Sequence, residues 1–122
     1  MKPVIKIKRV YDPALKEDGY RILVDRLWPR GLKKPAVKMD EWIKELAPTT
    51  ALRKWFAHDP ERWTEFQVRY KAEINNNEAI QNFLAAHEDK KVVTLLYGAK
   101  DEIHNHALVL QEYLAELLSK DR

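Results

Sequence analysis

Two short runs of continuous apolar residues, far apart in the chain, constrain the fold more than anything else in it. Ile22-Leu23-Val24 within Tyr20 to Leu27 (YRILVDRL), and Val92 to Tyr97 (VVTLLY), read as strands buried on both faces. The connection between them is long and carries several segments of helical period, which predicts parallel pairing through a helical crossover. A third segment, Val4 to Tyr11 (VIKIKRVY), alternates Ile5 and Ile7 with Lys6 and Lys8 and reads as a half-exposed strand. Its lysines suit a sheet edge. The expected fold is α/β: a small, mostly parallel sheet of about three or four strands with helices packed around it, as one domain over residues 1–122.

Between the apolar runs the punctuation is specific. Asp12-Pro13 and Asp18-Gly19 mark a connection with room for one helical turn. Asp40 can cap a short helix carrying Trp42, Ile43 and Leu46, which Pro48 ends. Thr49 or Thr50 can cap the next helix, presenting Leu52, Trp55 and Phe56, and Asp59-Pro60 starts another in which Trp63, Phe66, Tyr70 and Ile74 recur. Asn77 can cap a helix with Ile80, Phe83 and Leu84 inward. The final helix is expected from about Glu102 to Leu118, with Ile103, Ala107, Leu110, Leu114 and Leu117 on one stripe.

Composition removes whole classes of chemistry. Cys is absent, which excludes disulfides, thiolate metal sites and a Cys nucleophile. Ser119 is the single serine and falls in the last turn of the final helix, so a serine-hydrolase triad has nothing to build on. With only Gly19, Gly31 and Gly98, no dinucleotide or Walker-type loop can be written. The basic stretch Met1 to Arg9 lacks the apolar core of a signal peptide, and no run is long enough to span a membrane, so a cytoplasmic chain is expected.

In an open α/β sheet, ligands bind beyond the carboxyl ends of the strands. Two segments fall there: Asp25-Arg26-Leu27-Trp28-Pro29-Arg30-Gly31 and Tyr97-Gly98-Ala99-Lys100-Asp101-Glu102-Ile103-His104-Asn105-His106. From Arg26 to Lys38 there are five cations and no acid, and the second segment ends at a helix N-terminus with Lys100 beside it. Both features attract an anion. The simpler readings stand beside this: Asp25 with Arg26 or Arg30 as an ion pair tying loop to sheet, Trp28 as packing, and Asp101 as a helix cap.

The histidines point less clearly. His104 and His106 are two apart, about 200° around a helix, unlike the i, i+4 pair of helical zinc sites, so no metal is expected even with His58 as a third ligand. Asp59 is better read as a cap than as the orienting partner of His58. His87, near a helix C-terminus, reads as a surface or dipole-complementing residue. The mid-chain aromatics sit at core spacing rather than as a stacking platform.

The strings RVYDP, DGYRILVDRLWPRG, KELAP, LRKWFAHDPERW and VTLLYGAKDEIHNHA together span nearly the whole chain and resemble the YeaO-like domain of unknown function. That resemblance implies a compact bacterial α/β domain and brings no established catalytic residues with it. The glycine-rich loop expected for an adenosyl cofactor is missing, and no cofactor is expected.

Two functional expectations follow. The first is a pocket for an anionic, phosphate-bearing small molecule, with Arg30 and Lys100 holding the anion, Arg26 in support, and Asp101 and Asn105 at the helix start. Within it Asp25 is the candidate general base or nucleophile and His106 its acid-base partner, in a hydrolase or group transferase. The second is a non-catalytic module that binds nucleic acid or a protein through Lys2, Lys6, Lys8, Lys33, Lys34 and Lys38.

Overall fold

The structure is a computed structural model and describes residues 2–120. Four strands form one sheet: β1 (Val4–Arg9), β2 (Tyr20–Leu23), β3 (Glu41–Trp42) and β4 (Val92–Tyr97). Four helices accompany them: α1 (Thr50–Phe56), α2 (Trp63–Asn75), α3 (Glu78–His87) and α4 (His106–Lys120). The strand order is β1-β4-β2-β3 and each neighbouring pair is parallel, with Ile5 opposite Val93 and Leu23 opposite both Leu96 and Trp42. The two doubly apolar runs therefore lie side by side at the centre, and the lysine-bearing strand takes an edge.

The side-chain alternation of β2 and β4 divides the core in two. Ile22, Val24, Val93, Leu95 and Tyr97 join a large cluster to which all four helices contribute. Leu23 and Leu96 face the other way into a smaller cluster with Val10 and Val37, covered by Trp28, Leu32, Met39 and Trp42. Helices cover one face of the sheet and loop segments cover the other. Phe56, Phe66 and Tyr70 stack in a row through the large cluster, with centroids 4.3 and 5.7 Å apart.

Local signals placed three helix starts. Thr49 accepts from the Leu52 amide at 3.2 Å, Asp59 accepts from Glu61 in a 3-10 turn that leads into α2, and Asn77 accepts from Ala79. The connection after β1 contains the expected single turn, Lys16–Asp18, and Asp18 is its anchor. The buried Asp18 carboxylate accepts from the Leu15 amide at 2.9 Å and pairs with Lys8 at 3.1 Å and with Arg21. Gly19 follows at φ +65°, where an added Cβ would lie 2.4 Å from the Val92 carbonyl oxygen.

Three expectations are corrected. The segment Asp40 to Leu46 is not a helix capped by Asp40: the Asp40 carboxylate accepts from the Arg21 amide at 2.8 Å, and Ile43 N–H donates to the Leu23 carbonyl at 3.0 Å. Backbone groups left open by β2 recruit this segment as β3, and only Lys44–Leu46 makes a 3-10 turn. The last helix begins at His106, so Ile103 lies outside it and is 67% exposed rather than on its apolar stripe. His87 is buried at the end of α3, with Nδ1 2.8 Å from the Phe83 carbonyl and Nε2 3.0 Å from Glu41. A residue of β3, three helices earlier in the chain, supplies the partner that makes its burial tolerable.

Candidate functional site

Because the strands are parallel, the turns that follow β1, β2 and β4 emerge at one end of the sheet. There they surround a cleft of about 1020 Å³, open to solvent, which receives Arg30 from the loop after β2 and Asn105 from the loop after β4. The size is at the upper end of pockets that hold small organic ligands.

The loop after β2 is pinned at several points. The Asp25 carbonyl accepts from Trp42 Nε1 at 2.7 Å, Trp28 Nε1 donates to Leu32 at 2.6 Å, and the Arg30 carbonyl accepts from the Tyr11 hydroxyl at 2.7 Å. Arg26 donates to the carbonyls of Pro48 and Ala47 at 2.9 and 3.2 Å, so its guanidinium ties this loop to the start of α1 while still lining the cleft. Arg30 itself is exposed and lines the cleft from this loop.

Asp25 joins the two loops. Its Oδ2 accepts from the Gly98 amide at 2.8 Å, an approach a side chain would crowd, since a Cβ on Gly98 would lie 3.0 Å from that oxygen. Its Oδ1 is buried without a hydrogen bond. His106 Nε2 comes within 3.4 Å of Oδ1, but lies closer to the Val24 carbonyl at 2.9 Å. A carbonyl only accepts, so Nε2 carries a proton aimed at Val24 rather than at the carboxylate. Burial pushes the Asp25 carboxyl above its ordinary value, against the opposing pull of His106, the Gly98 amide and His58.

The loop after β4 is built by its own side chains. Asp101 Oδ1 accepts from the amides of Ile103 and His104, both at 3.0 Å, and Oδ2 lies 2.8 Å from His104 Nδ1. These bonds hold the Asp101 carboxyl below its ordinary value, the His104 side chain contributing most. The cap of α4 is Asn105, buried, which accepts from the Leu108 amide at 2.9 Å and donates to the Asp101 carbonyl at 3.0 Å. Asp101 thus caps a turn that precedes the helix, and side-chain competition for those amides delays the helix to His106. Both residues line the cleft with their polar groups already engaged.

Of the sequence-predicted site residues, Asp25, Arg26, Arg30, Lys100, Asp101, Asn105 and His106 all line this one cleft. Sequence reasoning missed Arg9 and Arg53, and weighed His104 only as a metal ligand. Arg9 donates to the Ala99 carbonyl at 2.9 Å and lies over the Tyr11 ring, which occupies it. Arg53 comes from α1, a helix assigned only to the core by its apolar spacing, and its polar face became visible only once α1 was placed beside the cleft. His58 also reaches the rim, from two successive left-handed residues, Ala57 at φ 47° and His58 at φ 57°. Among the described residues of the lining, Arg30, Arg53 and Lys100 are exposed cations with no acidic partner. No group of three or more His, Cys, Asp or Glu able to hold a metal occurs among the described residues.

The cations of the alternative basic surface are dispersed. Lys8 is drawn into the Asp18 pair, Lys6 donates to the Glu17 carbonyl and Lys2 to the Leu118 carbonyl. Lys33, Lys34 and Lys38 precede β3 at the opposite sheet edge from β1. Among the described residues, no helix is long and apolar enough to cross a membrane.

Residues 4–122 match the family described as "Inactive DUF488-N3 subclade". The chain is 50% identical over 113 residues to the uncharacterized protein YeaO of Escherichia coli (strain K12), covering 93% of this chain and 98% of that protein. It is 36% identical over 110 residues to the uncharacterized protein Mb3100c of Mycobacterium bovis, covering 90% and 92% respectively, and equally to Rv3073c of Mycobacterium tuberculosis. No solved structure matches it significantly. The near-complete coverage of these relatives, with the match over residues 4–122, makes the chain a member of the YeaO-like family of proteins of unknown function, the inactive DUF488-N3 subclade.

Proposed function

We propose that the cleft is a binding site for an anionic small molecule, and that the protein holds this ligand without turning it over. The observation that carries the reading is the convergence of Arg30, Arg53 and Lys100, from three separate elements and without acidic partners, around one concave site. Exposed cations ordinarily scatter or pair with acids. Three unpaired ones at a cleft mouth create a local potential that an anion neutralises. Arg26, committed to two carbonyls, supports the mouth rather than grasping the ligand.

Catalysis is the less supported half of the sequence expectation. A general base must reach the proton it takes. Asp25 Oδ1 is buried from solvent and the His106 Nε2 proton points at Val24, so Asp25 and His106 serve here to fasten the two loops. The family description, with its word "inactive", agrees with this assignment.

Thermal unfolding at low ionic strength tests the reading. Inorganic phosphate should raise the melting temperature, because a ligand bound only by the native state stabilises by about 2.7 kcal/mol at a hundredfold excess over its dissociation constant. Arg30→Ala, Arg53→Ala and Lys100→Ala should each weaken the gain, while Lys33→Ala and Lys34→Ala leave it intact. Equal losses from all five variants would mean a diffuse basic surface instead, and the absence of any shift with a broad anion panel would refute the site.

A further inference from the structure

We infer that the ligand is an organic phosphate with a flat apolar or aromatic body, seated head outward in the cleft. The inference rests on the anion-site reading and adds what the rest of the cavity is for. A bare phosphate would occupy a small part of about 1020 Å³, a volume suited to a whole drug-sized molecule.

The cavity is also polarised along its depth. Its three unpaired cations, Arg30, Arg53 and Lys100, are solvent-exposed at the mouth, whereas its aromatic walls, Phe56 and Phe66, are 6% and 1% exposed at the floor. Leu27 also lines the cleft and is 57% exposed although it sits on a loop pinned on both sides. An isolated exposed leucine needs no explanation, but one lining a concave apolar cleft is surface that a ligand can cover. An anion driven to the floor would lose its hydration among phenyl rings and meet the Asp25 carboxylate. An anion held at the mouth keeps its water and its three cations, and only an attached apolar group gains from the floor.

Calorimetric titration of the full chain with inorganic phosphate, 1-naphthyl phosphate and neutral 1-naphthol separates the contributions. The expected result is that 1-naphthyl phosphate binds at least about tenfold more tightly than inorganic phosphate, or about 1.4 kcal/mol. Leu27→Ser should shrink that advantage and leave inorganic phosphate affinity unchanged, and Arg53→Gln should weaken both phosphates. Leu27 and Arg53 are exposed, so neither variant removes core packing. Equal affinities for the two phosphates would overturn the apolar-body inference and leave the anion site standing. Naphthol binding as tightly as naphthyl phosphate would overturn the anion site itself. Tight naphthyl phosphate binding that ignores both substitutions would place the ligand elsewhere and overturn the inference.

Discussion

Replacing Asp25 by Asn should make this protein more stable at neutral pH, although it alters a residue that lines the cleft. Asp25 Oδ2 accepts the Gly98 amide, a bond an Asn side-chain carbonyl can keep, while Oδ1 is buried with no hydrogen bond. A buried polar group left unsatisfied costs about 1–3 kcal/mol, and more when charged. The Asn amide nitrogen also lacks an acceptor there, so the neutral variant recovers only part, about 1–2 kcal/mol. For a chain of this length that is a rise of about 4–8 °C in melting temperature.

The pH dependence supplies the sharper check. Burial raises the folded-state carboxyl above its unfolded value of 3.8, against the opposing pull of His106, the Gly98 amide and His58. The folded state therefore binds the proton more tightly, and the cost of Asp25 grows as pH rises from that unfolded value through the folded one. Below pH 3.8 both states are protonated and the Asn variant should lose its advantage. Calorimetric melts of both proteins across acid to neutral pH measure this difference directly. An Asn variant equal to or less stable than the parent at neutral pH would refute the reasoning and mean that a charged His106 stabilises the Asp25 carboxylate as an ion pair.

Two further substitutions test the frame that holds the site. Asp18→Ala should cost about 3–5 kcal/mol by chemical denaturation, since it strands the buried Arg21 guanidinium, and a loss below about 1 kcal/mol would contradict the pairing. Burial alone would raise the Asp18 carboxyl, but the Leu15 amide, Lys8 and Arg21 outweigh it and hold it low, so its stabilisation is present above pH 3.8 and disappears as pH falls through the folded value. Gly19→Ala should destabilise by about 1–3 kcal/mol or more, combining a left-handed backbone with a clash against the Val92 carbonyl, and an unchanged midpoint would show that the turn relaxes freely.

The parallel sheet was legible because its causes are local in sequence. Ile22-Leu23-Val24 and VVTLLY are short, rich in β-branched residues and apolar at nearly every position, a pattern that suits strands covered on both faces, and the long helical connection sets their direction. Thr49, Asp59 and Asn77 were legible for the same reason, since each caps an amide two or three residues ahead. The cleft's two loops followed from parallel topology alone. What could not be read is whatever depends on a partner distant in sequence. Asp40 looked like a cap because nothing nearby reveals that Arg21 N–H takes its carboxylate and draws Glu41–Trp42 into the sheet. His87 looked exposed because Glu41, 46 residues away, is what allows its burial. Arg53 joined the cations because the packing of α1 turned its polar face to the cleft, and the hydrogen bonds of Asp25 Oδ2 with the Gly98 amide and of His106 Nε2 with the Val24 carbonyl were likewise set by segments distant in sequence. Periodicity and capping are written in residues a few positions apart, whereas the pairing of buried polar groups is decided only when distant segments meet and compete for the same donors and acceptors.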